Sequence, residues 1–378
     1  MADLKNTIIN DTGFLTLPVG NTAQRPSPAN GMIRLNNSNN LMEFYDSGGW
    51  RPITGVSKGS IGSGGQSILY NASHGGKHGG VIHIFTTTGN HTFTPAFSGT
   101  VEVLVVGGGA SGGGHLGGGG GAGGLIFNRS YPVSNGSGIN VTVGTGGPAN
   151  NYGRSPPGFQ GGNSVFGSLT ADGGGGGGSW DGNAARAGGS GGGGCTGSSG
   201  NGSNGHTGPN NSRNTNMGGR GVTGEGFPGG SGIRYNRQGE DSHKAGGGGG
   251  AGGPGWSSED DCHEGRNGSG GPGSANDILG YTLYWAGGGG GACHVGNETH
   301  GSSGGIGGGG GGTMNHGQPR RPPGGKSSTG GGMSYNNGGG VNSSGYEGGT
   351  AGANTGSGSG GAYGSAKIGG TGIVIVRY

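Results

Sequence analysis

Four apolar runs stand out against a polar background in this chain: 81–85 (V-I-H-I-F), 101–106 (V-E-V-L-V-V), 139–143 (I-N-V-T-V) and 373–378 (I-V-I-V-R-Y). Residues 139–143 alternate, with Asn140 and Thr142 facing away from the apolar side, and so predict a half-buried strand. Residues 81–85 and 91–94 flank a turn that contains Gly89. The run 101–106 is apolar apart from Glu102. A terminal strand as apolar as 373–378 is a liability on an open sheet edge. It is therefore expected to insert beside 101–106 and tie the end of the domain to its start.

The first 54 residues have a different texture. Short strand-like segments at 14–17, 32–35, 41–45 and 50–53 are separated by turn residues at 36–40 and 46–49. This stretch is too short for a large core. It reads as a small β attachment module spanning 1–54, stabilised by oligomerisation or by a partner. A Gly/Ser-rich segment at 55–65 reads as a hinge, and 66–378 as one glycine-rich domain.

Composition changes the picture at this point, because Gly supplies 116 of the 378 residues. Nearly a third of the chain can offer only backbone groups. Net charge is +3 and charged residues are 10%, whereas disordered chains tend to carry strong net charge. The glycines come in consecutive runs and Pro is sparse, which excludes a collagen triple helix. A helix loses about 1 kcal/mol per Gly relative to Ala, and strand interiors are also weakened by Gly. The extended threefold helix of the polyproline II type remains, with a rise of about 3.1 Å and every N–H and C=O directed outward. Without Cβ atoms, such rods can approach and bond to one another. The longest pure runs are 117–121, 173–178, 191–194, 246–250, 287–291 and 307–312, and A-G-G-G-G-G-A occurs twice, at 245–251 and 286–292. The expected fold is mainly β and irregular with almost no α-helix. It comprises the small β module, short flanking strands and a stacked polyglycine II sandwich whose crossings are joined by display loops.

Little catalytic chemistry is visible. Residues 107–112 fit G-x-G-x-x-G after a strand, but the glycines that follow cannot sustain the helix a dinucleotide site needs. Gly325-Lys326-Ser327 resembles the end of a P-loop, but Arg320 stands where the first Gly is required. Scattered Ser and His give no triad spacing. Cys262-His263 and Cys293-His294 follow similar glycine tracts without the C-x-x-C spacing of a zinc site. Whether Cys262 and Cys293 pair is left open. The expectation is a protein that is not an enzyme and has neither metal nor cofactor. Lys and Arg are too thin for nucleic-acid binding, and no apolar span implies membrane insertion.

Residues 13–53, with LPVGNTAQRPSPANGMIRLNNSNNLMEFYDSGGWRPI, resemble a short module of phage tail-fibre and other virion proteins. VEVLVVGGGASGGG at 101–114, YWAGGGGGA at 284–292 and GGTGIVIVRY at 369–378 resemble the glycine-rich domain of phage structural proteins. The alternation of tracts and loops is similar to the distal adhesins of T-even-like tail fibres. That resemblance implies a virion protein, made in the host cytoplasm, whose loops recognise a host cell-surface glycan or outer-membrane protein. The alternative it leaves is a capsid or tail decorating protein with no receptor of its own. Other virion proteins would bind through 1–54, and a homo-oligomer, a trimer included, fits the class.

The resemblance carries no contact residue across, so candidates come from residue type. Trp and Tyr give rigid amphipathic contact surface. Trp180 with Asp181, Trp256 with Glu259 and Asp260, and Tyr281 are the receptor-binding candidates. Arg320 and Arg321 join them as a basic cluster suited to an anionic glycan. Tyr284 and Trp285, next to a glycine tract, read instead as caps on the bundle.

Overall fold

A computed structural model describes residues 17–27, 29–38, 41–46, 49–52, 62–70, 80–150, 157–180, 184–195, 214–237, 240–258, 268–294, 302–315, 330–341 and 346–378. The chain forms two compact units, Met1–Ile61 and Gly62–Tyr378.

In the first unit, strands β1 (Val19–Gly20), β2 (Ile33–Asn36), β3 (Leu41–Asp46) and β4 (Gly49–Pro52) form a sheet in chain order. Of the strand expected at 14–17, only Leu17 is described, and it lies outside β1. One turn of 3-10 helix, Thr22–Gln24, is capped by Asn21, whose Oδ1 accepts the Gln24 N–H at 3.0 Å. The buried face of this sheet is ionic. Arg34, Asn36 and Glu43 are 3%, 0% and 2% exposed. Glu43 accepts Arg25 Nη2 at 2.8 Å and Nε at 3.2 Å, and Asn36 Nδ2 at 3.1 Å. Arg34 Nε lies 3.5 Å from the same carboxylate. The Arg25 hydrogen bonds hold the Glu43 carboxyl below its usual range, against the opposing effect of burial. A unit too small for a large apolar core thus closes on a buried charge cluster centred on Glu43.

The hinge expected at 55–65 ends earlier than its composition implies. Residues 55–61 lie outside the described residues. Gly62 donates its N–H to the Tyr378 hydroxyl at 2.9 Å, and Ser63 pairs with Thr94 at 2.8 and 2.9 Å. Gly64 and Gly65 take φ of +116° and +64°, a turn open to Gly, and lead into the first strand of the second unit.

That unit contains β5 (Gln66–Tyr70), β6 (Gly80–Phe85), β7 (Gly89–Phe93), β8 (Gly99–Val106), β9 (Leu125–Val133), β10 (Ile139–Val143), β11 (Ser164–Phe166) and β12 (Leu169–Ala171). Further along the chain come β13 (Asn214–Asn216), β14 (Gly232–Arg237), β15 (Glu240–Lys244), β16 (Ser274–Asn276), β17 (Leu283–Trp285), β18 (Cys293–His294), β19 (Met314–Asn315) and β20 (Ile373–Arg377). As expected, the terminal strand β20 lies inside a sheet. The order is β5-β6-β20-β8-β9, with β20 antiparallel to both neighbours. Val374 sits between Phe85 and Val105, and Ile375 between Ile84 and Leu104. Alternation then sends the two sets to opposite faces. Phe85, Val103, Val105, Val374 and Val376 pack on Phe93, Val141, Val143 and Phe166 from the sheet β12-β11-β10-β7. Ile84, Leu104, Val106, Ile373 and Ile375 pack on Ala122, Ile278, Trp285 and Ala286, where the glycine-rich body begins.

The glycine tracts are threefold rods. Between 117 and 124, N–H donors visit three neighbours in rotation. Residues 117, 120 and 123 bond to Ala362, Ser359 and Gly356; 118, 121 and 124 to Gly178, Gly175 and Asp172; 119 and 122 to Gly246 and Gly249. Every third residue returns to the same neighbour, displaced by three. A strand would alternate between two directions, and an α-helix would bond within itself. Only the polyproline II geometry, three residues per turn with no internal bonds, yields this pattern. The tract 286–292 behaves alike: 288 and 291 reach Gly271 and Gly268, 289 and 292 reach Gly120 and Gly117, and 290 reaches Gly310. Packing leaves no room for Cβ. A methyl on Gly118, Gly176 or Gly289 would overlap the carbonyl of Gly193, Gly158 or Ser359.

Candidate functional site

The bond partners also fix the direction of each crossing. Falling partner numbers mark antiparallel neighbours and rising ones parallel neighbours. The rod 107–113 leaves β8, and the antiparallel rod 117–124 returns to β9. The rods 173–178 and 190–194 run parallel to 107–113 and away from the sheets. Rod 286–292 runs outward from Trp285, antiparallel to 245–251. A rod of seven residues at about 3.1 Å per residue separates the two ends by roughly 20 Å. The body therefore has a sheet pole, against β20, and a far pole.

The connections divide unequally between the poles. At the sheet pole they are short or hydrogen-bonded, such as the β16–β17 hairpin, whose strands pair Ser274 with Trp285. At the far pole, described stretches end at Asn150, Trp180, Cys195, Ser258, His294, Asn315 and Val341. The chain is next described at 157, 184, 214, 268, 302, 330 and 346, on stretches that run back from the same pole, so seven connections are rooted there. Backbone sheet β13-β14-β15-β18-β19 also lies at this end, with β18 antiparallel to β15 and parallel to β19.

Five side chains close a ring on the far pole. His115 and Trp180 stack with centroids 5.6 Å apart, and Trp180 meets His243 edge-on at 4.5 Å. His243 stacks on His294 at 5.9 Å, His294 meets Tyr363 at 6.1 Å, and Tyr363 returns to His115 at 6.3 Å. Tyr346, half exposed, packs on Tyr363 at 5.6 Å. His243 is buried and the other four ring members are partly covered. The residues arise from five separate crossings. His115 sits in the turn between two rods with φ of +50°, and Leu116 beside it has +58°. Next to the ring, burial pushes the Cys293 thiol up to about 11, opposed by the Lys244 charge.

The sequence candidates do not converge. Trp180 belongs to the ring. Trp256 is 46% exposed on a flank crossing, where its N–H donates to Ser269 at 3.0 Å. Tyr281 is 48% exposed but lies in the β16–β17 hairpin, at the sheet pole. Asp181, Glu259, Asp260, Arg320 and Arg321, like Cys262, lie outside the described residues. Trp285 is fully buried beneath Ile373 and Ile375, as a cap on the bundle should be. His115, His243 and Tyr363 were not singled out from sequence, and His294 only within the Cys293-His294 dipeptide weighed as a metal site. Their shared signal is position: each is the first ring-bearing side chain beyond the far end of a glycine tract. Among the described residues no group of three His, Cys, Asp or Glu could hold a metal ion, and no helix is long and apolar enough to cross a membrane.

A family model for the glycine-rich domain matches residues 85–307, from the end of β6 through most of the rod body. No curated protein matches the chain.

Proposed function

Since the chain belongs to the glycine-rich domain family, we propose that it is a phage virion protein, a tail-fibre or distal adhesin component that displays loops for recognition of a host cell surface. The observation that carries this reading is the one-sided departure of the long connections. Seven connections are rooted at the far pole, while the sheet pole is closed by packed strands. A body cross-linked in three directions keeps the loop roots at fixed separations, so less ordering entropy is lost on engagement. Loops on such a platform can vary without disturbing the scaffold. The chemistry is binding, and the first unit, with its own sheet, attaches the chain to the rest of the particle.

Purified full-length protein, fluorescently labelled, should attach to cells of a susceptible bacterium and compete with phage adsorption. Replacing 196–213 by a short Gly/Ser linker should leave the rod body folded and change attachment. A full-length protein that attaches to no cell, yet is found on intact particles, would favour a decorating role instead.

A further inference from the structure

The sheet of the first unit buries its ionic face and leaves its apolar face open. Register places Val19, Ile33, Leu35, Met42 and Phe44 on one face and Gly20, Arg34, Asn36, Glu43 and Trp50 on the other. Each described residue of the sheet that is buried (Gly20, Arg34, Asn36 and Glu43) lies on the ionic face. Residues 21–25 cover that face. The Asn21 carbonyl accepts Arg34 Nη2 at 3.1 Å, Thr22 Oγ1 accepts Asn36 Nδ2 at 3.0 Å, and Arg25 reaches Glu43. None of the five apolar residues is buried. Val19 is 62% and Ile33 45% exposed, and Leu35, Met42 and Phe44 are half-buried. An antiparallel sheet with one wet face ordinarily turns its polar side to water. We propose that this open apolar face is a self-association surface, on which the same face of a second copy packs. The proposal deepens the attachment role given to the first unit and rests on that reading for its purpose.

Two observations select a second copy as the occupant. The first is charge. The two charged residues of the face, Arg51 and Asp46, pair with each other at 2.7 Å, so the face carries no net charge. A nucleic acid, an anionic membrane or an acidic peptide would find no uncompensated cation there. The second is the shape of the match. An open sheet face is covered by another sheet stacked about 10 Å away with its strands nearly aligned. Among the described residues, no other sheet of the chain leaves an apolar face open. In the second unit Phe93, Val141 and Phe166 pack inward, and the outer side of the same sheet carries Asn90, Thr92, Asn140 and Thr170, all exposed. The complementary surface therefore occurs once per chain. A two-fold pairing of copies satisfies both partners with one patch.

Size sets the strength of the contact. Strands of two to six residues, at about 3.3 Å per residue and about 4.8 Å apart, give a face on the order of 300 Å² per copy. Contiguous apolar patches of about that size mark interaction surfaces, whereas a standard stable interface takes about 800 Å² from each partner. Pairing through this face alone is therefore reversible and depends on concentration. Two copies joined in this way carry two sets of loops, so a second engagement with the same surface becomes intramolecular.

Sedimentation equilibrium of the full-length protein over a range of concentrations tests the pairing. The wild type should move from the mass of one chain towards that of two as concentration rises. In Val19→Lys/Ile33→Lys, positive charges are forced into the apolar contact, and association should be lost. Resistance of residues 17–52 to limited proteolysis, equal to that of the wild type, shows that the variant sheet is folded. Ile33→Thr keeps the β-branched shape and should weaken association about tenfold or more, which gives a second reading if the double variant does not fold. Ile368→Lys, at an exposed residue of the second unit, should leave association unchanged. A wild type that stays at the mass of one chain at every concentration overturns the proposal. So does association that persists unchanged in the folded double variant, because the contact then lies elsewhere. Attachment to cells is measured separately: its failure removes the display reading, whereas sedimentation alone decides whether copies pair.

Discussion

Ala245 donates its N–H to the Ala292 carbonyl at 2.9 Å, and six residues on, Ala251 donates to Ala286 at the same distance. The two A-G-G-G-G-G-A segments thus lie antiparallel, end against end, with Gly248 bonded to Gly289 at the centre at 2.8 Å. Identical glycines cannot specify a register, because any shift by three gives the same bonds. The alanines can, because a methyl group fits only at positions where the neighbouring backbones leave room for a Cβ, and a shift by three would carry these four methyls onto positions packed against glycine. Ala245, Ala286 and Ala292 are fully buried at those ends and Ala251 is partly so.

The same logic separates glycines inside the body from those at its margin. Gly118→Ala drives a methyl into the Gly193 backbone, which cannot move without breaking bonds to other rods. It should cost about 3 kcal/mol, the upper end for over-packing. Gly332 has open space where its Cβ would lie and shows no strained φ. Gly332→Ala should be neutral or stabilise by about 0.4–1 kcal/mol through the unfolded state. Urea unfolding of the two variants beside the wild type checks the contrast.

Trp285 joins the sheets to the rods. It is fully buried, stacks on Tyr335 at 6.0 Å, and its indole Nε1 has no hydrogen-bond partner. Trp285→Ala should cost about 3–5 kcal/mol. Trp285→Phe should cost much less, because removing a buried unpaired N–H, a penalty of about 1–3 kcal/mol, offsets the lost area. Thermal or urea unfolding measures both. Equal losses would place the stabilisation elsewhere.

His83 makes the second unit acid-sensitive. It is fully buried; Nδ1 lies 2.7 Å from the Gly64 carbonyl and Nε2 lies 3.0 Å from the Tyr378 hydroxyl. A carbonyl only accepts, so Nδ1 carries the proton and Nε2 accepts from Tyr378. Burial holds the imidazole below its ordinary value of 6.5, with the Gly64 bond acting the other way. The native state therefore resists a proton that the unfolded chain accepts. The stability this provides is complete above about pH 6.5 and is lost as pH falls towards the native value. Unfolding free energy measured from pH 7.5 to 5 should decline, and His83→Gln should flatten that slope.

Glu43 governs the first unit. Glu43→Gln leaves Arg25 and buried Arg34 without their counter-charge, which should cost about 3–5 kcal/mol. Limited proteolysis of the full-length protein should then cut within 17–52 while the second unit stays intact. With its carboxyl held below the usual 4.5, Glu43 contributes stability above that pH and loses it as pH falls through the native value.

Much of the framework was legible because strands need only local alternation. Residues 139–143 form β10 as drawn, and the apolar runs at 81–85, 101–106 and 373–378 became β6, β8 and β20, each within a residue or two. The insertion of β20 followed from the hazard of leaving I-V-I-V exposed. Strand β9 escaped notice because L-I-F-N-R-S-Y-P-V interrupts its apolar residues with Asn, Arg, Ser and Pro. The β14–β15 hairpin reads as a loop because its pairing, Ile233 with Lys244 through Arg237 with Glu240, joins mostly polar residues. Rods were accessible by elimination among backbone conformations, but their partners were not, since one glycine run resembles another. The far-pole ring was hidden for the same reason: His115 and Tyr363 meet only once the stacking of rods is known.

Amide hydrogen exchange across 117–124 and 286–292 tests the rod body most directly. With every N–H in 117–124 bonded to a neighbouring rod or strand, these amides should exchange as slowly as those of β8, and far more slowly than the same sequence in an unfolded chain. Exchange at the rate of a free glycine peptide, alongside protected amides in β8 and β20, would mean that the tracts do not bond to one another and that the far pole has no rigid base.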